Sequence, residues 1–132
     1  MARETADLCD VPVLHLAAVI AARQALLSLG DAQDLATLFS VLADPTRVRL
    51  IAVLIDRELC VCDLANVLAI RQSTVSHQLR LLRALRVVRF RKEGRTAFYT
   101  IADTHIADLL AQSLAHIREE SGHRDEDERG SA

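Results

Sequence analysis

Two histidines late in the chain are spaced for chemistry. His105 and His116 stand eleven residues apart, each beside a carboxylate, in Asp103-Thr104-His105 and His116-Ile117-Arg118-Glu119. Imidazole and carboxylate together form a ligand set suited to zinc-like ions. At about 100° per residue, eleven helical residues return to within about 20° of the starting direction, so both histidines share one helix face. They also lie roughly 16 Å apart along the axis, too far for one ion to touch both. A second, antiparallel copy of the helix removes the difficulty. His116 and Glu119 of one chain would meet Asp103 and His105 of the other, giving two equivalent four-ligand sites about a two-fold axis. The alternative is an amphipathic dimer helix whose histidines merely lie in the interface.

The chain also carries three cysteines, Cys9, Cys60 and Cys62. An odd count with no export signal disfavours a disulfide framework and favours thiols used as thiols or as metal ligands. On a regular helix Cys60 and Cys62 would point about 200° apart. Both can face one ion if the segment is the unwound entry to a helix with Asp63 near its cap, where the helix dipole also favours negative charge. The competing reading is two small hydrophobes packed beneath neighbouring helices.

These groups need a scaffold, and the composition bounds it. At 132 residues and 51% apolar content the chain is long enough for one globular domain with a real core. Aromatics are only 3%, and the abundance of Leu, Val, Ile and Ala favours packed helices. The net charge of −2 conceals a marked asymmetry. From Arg71 to Arg95 there are eight basic residues against Glu93 alone, a local charge of +7, whereas residues 118–132 carry a local −3. A basic segment of that density suits nucleic acid. No signal peptide is evident, and the apolar stretch Val11–Ala22 is too short for a bilayer, which takes about 20 residues. The expected compartment is the cytoplasm, with no membrane partner.

Punctuation and periodicity divide the chain. Residues 1–10 are expected to be a flexible arm, 11–121 the folded domain, and 122–132 a disordered polar tail. A helix is expected over Val11–Leu29, ended by Gly30, and another over Ala32–Leu42. Asp44-Pro45 is a strong helix start, with Val48, Ile51, Ala52 and Ile55 as the apolar face of a helix reaching Asp56. A short helix follows over Cys60–Leu68, then a turn and a helix from Ser73 or Thr74 to Leu85. The period then changes to alternation over Val87–Lys92 and Arg95–Ile101, with Glu93-Gly94 between them, which predicts a β-hairpin. Asp103 caps a last helix to about Glu120.

Two helices joined by a short turn and followed by a basic hairpin make a winged helix-turn-helix. The fold expected is mainly α with a small β-hairpin, in the order ααααα-ββ-α, dimerising through its N- and C-terminal helices. The second helix of the motif offers Gln72, Ser73, Thr74, Ser76, His77 and Arg80 to DNA, with Val75, Leu79 and Leu82 inward. Short polar residues at a helix start reach phosphates and base edges, and Arg or Gln can make bidentate base contacts. Arg89, Arg91, Lys92 and Arg95 on the hairpin would take flanking phosphates. An enzyme is not expected: Cys, His and Asp fall on an arm and on interface helices, with no nucleophile-elbow motif.

Several segments resemble ArsR/SmtB-type metal-sensing repressors: Leu42-Ala43-Asp44-Pro45-Thr46-Arg47, Glu58 through Ala65 with its Cys-Val-Cys, Ser76-His77-Gln78-Leu79, Arg91-Lys92-Glu93-Gly94-Arg95, and the Asp-x-His…His-x-x-Glu helix. The resemblance covers roughly residues 35–120. It implies a homodimeric repressor that occupies double-stranded operator DNA when metal-free and releases it when a divalent ion such as Zn, Cd or Pb binds. It also implies two metal positions. One is the C-terminal helix set of Asp103, His105, His116 and Glu119 across the dimer. The other joins Cys60 and Cys62 to Cys9 on the arm, with His15 or Asp10 as a fourth ligand, since Val13 stands where a second arm thiol would be expected. The rival reading is a repressor of the same shape that senses thiol oxidation, with Cys9 pairing to Cys60 or Cys62.

Overall fold

Capping residues set where the helices begin. The computed structural model describes residues 15–130, with side chains through residue 122, in the order ααααα-ββ-α. The elements are α1 (Leu16–Ala25), α2 (Leu29–Leu42), α3 (Pro45–Leu54), α4 (Val61–Leu68), α5 (Gln72–Ala84), β1 (Val88–Glu93), β2 (Thr96–Ile101) and α6 (Thr104–Gly130). The arm expected over residues 1–10, including Cys9 and Asp10, lies outside the described residues. Among the described residues no single helix is both long and apolar enough to cross a membrane.

The chain divides into a unit of residues 1–36 and a unit of residues 37–132, with the boundary inside α2. In the first unit α1 buries no side chain, and Leu16, Ile20, Leu26, Leu27, Leu29 and Leu35 are all exposed. Gly30 does not end the first helix, contrary to expectation. Helix α1 stops at Ala25, and Leu26 already has extended backbone. Ser28 Oγ accepts the Asp31 backbone N–H at 3.1 Å, so Ser28 caps α2 and Gly30 falls in its first turn. A Ser three residues before an acid is itself a start signal, and it prevails over the glycine.

In the second unit Asp44 caps α3 as expected: its Oδ2 accepts from Arg47 N at 3.0 Å, and Pro45 follows at the first helical position. The buried residues of α3 are Leu50, Ile51 and Leu54, not the Val48–Ile51–Ala52–Ile55 stripe; only Ile51 is common to both. The helix is covered from two sides, so the most apolar-looking spacing does not identify the deepest positions. Helix α4 contributes Leu64, Ala65 and Leu68, α5 contributes Val75, Leu79 and Leu82, and Val87 and Val88 close the core from the hairpin. Burying one such Leu or Val is worth about 1.5–3 kcal/mol, so this cluster fixes the angle between α4 and α5.

Helix α4 ends on Ala69 in the left-handed region, with φ 55°, and the Ile70 N–H returns to the Ala65 carbonyl at 3.1 Å. That Schellman-like closure turns the chain sharply into α5. The hairpin pairs Val88 with Ile101 through to Glu93 with Thr96. Its two-residue turn is therefore Gly94-Arg95, one residue later than the expected Glu93-Gly94. Gly94 has φ +62°, the conformation that a II′-type hairpin turn demands of its first central residue. Helix α6 continues through Gly130, beyond the expected end near Glu120; no proline interrupts its polar second half.

Candidate nucleic-acid interface and metal-binding groups

Helix α5 sorts its residues by period. Val75, Leu79 and Leu82 are buried at four- and three-residue steps, so the opposite face must carry the polar residues. Gln72, Ser73, Thr74, His77 and Arg80 are exposed and Ser76 is half-buried. Arg71 precedes the helix without capping it through its side chain. The first backbone N–H groups of α5 therefore point toward any phosphate that approaches, as helix N-termini do.

One arginine fixes the pose of α5 from outside the helix-turn-helix pair. Arg47 on α3 donates through Nε to Gln78 Oε1 at 2.7 Å and through a terminal nitrogen to the Val41 carbonyl at 3.1 Å. The end of α2, the start of α3 and the middle of α5 are tied by a single side chain. Arg47 and Gln78 lie in segments that carry the family resemblance, yet their bond spans 31 residues, and spacing alone gives no sign of it.

The hairpin arginines are not equivalent. Arg89, Lys92 and Arg95 are exposed, and among the described residues none of them is in an ion pair. Arg91 is engaged on three sides. Its Nε lies 2.6 Å from Glu58 Oε2, a terminal nitrogen lies 3.1 Å from Glu93 Oε2, and its guanidinium sits 4.9 Å over the Phe98 ring. The hydrogen bond to Glu58 and then that to Glu93 raise its pKa above the ordinary arginine value. Arg83 is likewise stacked on a ring, 4.2 Å over Phe90. Glu58 is the residue that sequence reasoning missed at this surface.

The C-terminal donors stand at the two ends of one exposed stretch of α6. Asp103 caps the helix: its Oδ1 accepts from His105 N at 2.9 Å and Ile106 N at 3.4 Å, which leaves Oδ2 for another partner. His105 Nδ1 lies 3.5 Å from Asp103 Oδ1, and the His105 side chain is 90% exposed. His116 Nε2 approaches Glu120 at 3.5 Å, one turn on, rather than Glu119. Both Glu119 and Glu120 are exposed. Among the described residues, no group of three or more His, Cys, Asp or Glu in a single chain could hold a metal ion.

Cys60 lies at the unwound entry to α4, whereas Cys62 is already within its first turn. Cys60 has extended backbone, with φ −84° and ψ 173°, and is the residue before the first turn of α4. Asp63 Oδ2 accepts the Cys60 N–H at 3.2 Å. Cys60 and Cys62 line an open cavity of about 300 Å³ together with Val61, Arg95, Thr96 and Ala97. His15 is exposed at the start of α1. Cys60 is half-buried and Cys62 exposed, so neither belongs to the buried core.

Comparison with known proteins bears on the family and the fold. Residues 44–89 match the family described as bacterial regulatory protein, arsR family. The chain is 45% identical over 116 residues, 88% of each chain, to a transcriptional repressor SmtB homolog from Synechocystis. It is 39% identical over 116 residues, 87% of this chain and 95% of the other, to a cadmium resistance transcriptional regulatory protein CadC homolog from Staphylococcus aureus. Among solved structures it resembles a homodimeric winged helix-turn-helix DNA-binding domain from Mycobacterium bovis, a possible ArsR-family regulator, with TM-score 0.64 and 26% identity over 68% of this chain and 83% of that one. The hairpin behind α4 and α5 is the wing of that fold, and this chain belongs to the ArsR family of winged helix-turn-helix transcriptional regulators.

Proposed function

We propose that the chain is a metal-responsive repressor that works as a homodimer in the cytoplasm, holding operator DNA when metal-free and releasing it when a Zn-, Cd- or Pb-type ion binds. The observation that carries the metal reading is the placement of donors on α6. Asp103 with His105, and His116 with Glu119 and Glu120, occupy separate ends of one exposed helix face, so each pair needs a second chain to complete a tetrahedral set. The exposed Leu114 and Ile117 on α6, and the exposed Leu16 and Ile20 on α1, supply surface for that second chain. The similar Staphylococcus aureus protein is named for cadmium resistance and the Synechocystis one as a repressor; the thiol-redox alternative has no comparable support and is set aside.

In this reading α5 enters the major groove. Gln72, Ser73, Thr74, Ser76, His77 and Arg80 face bases and adjoining phosphates, while Arg89, Lys92 and Arg95 hold flanking backbone. The dimer must set two α5 helices about 34–36 Å apart to match successive turns of a palindrome. A metal ion bonded across the α6 pair would fix the protomers at a different spacing. A coupling of about 1–3 kcal/mol, roughly 5- to 150-fold in affinity, is the usual size of such an effect. Cys60 and Cys62, with Cys9 and either His15 or Asp10, form a second, softer set suited to Cd or Pb.

X-ray absorption on the metal-loaded protein tests the assignment. Zinc with nitrogen and oxygen ligands only, lost in His116→Ala, is expected for the α6 site. Zinc held by sulfur alone would contradict that site.

A further inference from the structure

The short segment that carries the thiols is fastened to the wing by consecutive residues. Glu58 pairs with Arg91 of β1 at 2.6 Å. Leu59 and Tyr99 of β2 exchange two backbone hydrogen bonds, Leu59 N–H to the Tyr99 carbonyl at 3.1 Å and Tyr99 N–H to the Leu59 carbonyl at 2.8 Å. Cys60 and Cys62 then share a cavity with Arg95, Thr96 and Ala97 at the tip of the same hairpin. An exposed ion pair alone holds little. A reciprocal backbone pair is different: it is the closely bonded unit of an antiparallel ladder, and it makes Leu59 a third strand of one residue.

We propose that residues 58–62 and the wing move as one mechanical unit, in which Arg91 is a positioning residue held by Glu58 rather than a phosphate contact, so that an ion seated on Cys60 and Cys62 is sensed at the hairpin that grips DNA. The proposal rests on the repressor reading given above and deepens it. It separates Arg91 from its neighbours. Arg89 and Arg95 are exposed on the same hairpin without a carboxylate partner, whereas a phosphate approaching Arg91 must displace Glu58 and Glu93 first. It also gives the thiol pair a route to DNA that does not pass through α6. The Cys60 N–H bonded to Asp63 fixes the segment to α4 at one end, and the Leu59–Tyr99 pair fixes it to the wing at the other.

Two experiments test this. The first measures operator affinity against salt for the metal-free protein. Arg89→Ala and Arg95→Ala should each reduce the log–log slope by about 0.9, one phosphate contact apiece. Arg91→Ala should keep the wild-type slope and lose roughly two- to fivefold in affinity at every salt concentration, the scale of one exposed pair. Glu58→Gln should show the same pattern. A slope reduced by Arg91→Ala as much as by Arg95→Ala, or tighter binding by Glu58→Gln, overturns the assignment.

The second experiment uses no DNA, so it tests the strap even if the repressor reading fails because the wild-type chain binds no duplex. Tyr99 is the single tyrosine of a chain without tryptophan, so intrinsic emission reports the bridged residue directly. Titration with cadmium should change Tyr99 emission in step with the thiolate-to-metal absorption band, and Cys60→Ser/Cys62→Ser should lose both. An absorption band that grows while the emission stays constant, or an emission change that survives the double substitution, overturns the coupling.

Discussion

At the scale of single residues, the DNA surface divides into side chains that are free to bind and side chains that are already engaged. Arg80 projects from α5 into solvent, and Arg80→Ala should cost about 1–3 kcal/mol in operator binding if it reads a base edge. Anisotropy titrations against the operator and a scrambled duplex measure this; an equal loss on both would make Arg80 a phosphate contact instead. The α6 donors raise a similar question. The carboxylate that approaches His116 is Glu120, four residues on, whereas the sequence motif points to Glu119. A carboxylate that orients a ligating imidazole typically contributes 10–100-fold to metal affinity. Glu120→Gln should therefore weaken zinc binding by about that factor, as read by competition with a chromophoric chelator. Unchanged affinity would leave Glu119 as the sole carboxylate partner of His116.

Whole elements show which features the sequence reveals and which it hides. The start of α3 is legible because Asp44-Pro45 combines a cap with a residue tolerated only in the first turn. The hairpin is legible because the apolar period changes from helical to alternating. The boundary between α1 and α2 is misread because Gly30 stands out while Ser28, the true cap, is a common residue in an apolar stretch. The core face of α3 is misread because burial from more than one side breaks the simple amphipathic pattern. Glu58–Arg91 and Arg47–Gln78 bridge 33 and 31 residues, and local spacing carries no information about such pairs. The turn between α4 and α5 yields a stability prediction. Ala69 holds φ 55°, where an L-residue with a Cβ pays roughly 1 kcal/mol that glycine does not. Ala69→Gly should stabilise the folded chain by up to about 1 kcal/mol in urea unfolding, and a clear loss of stability would show that this conformation is relaxed. Leu79, 1% exposed at the centre of α5, should cost about 2–5 kcal/mol when replaced by Ala.

At the scale of the molecule, one chain is an incomplete device. Its helix-turn-helix presents a single reading head, its α6 His and acidic residues fall into two separated groups, and its α1 leaves Leu16 and Ile20 exposed. A homodimer would answer all three: it would supply a second head, complete the proposed α6 metal sites and cover exposed apolar residues. The proposed wing strap would add a second input, from the thiol pair, to the same DNA-binding output. Release of DNA on metal binding is the behaviour that these features together would produce. The most direct measurement takes the purified wild-type protein bound to an operator duplex selected from a random library, and titrates zinc, cadmium and lead while following anisotropy. Release by at least one of these ions, reversed by a chelator, is the predicted result; a complex that stays fully bound at saturating concentrations of all three would contradict it.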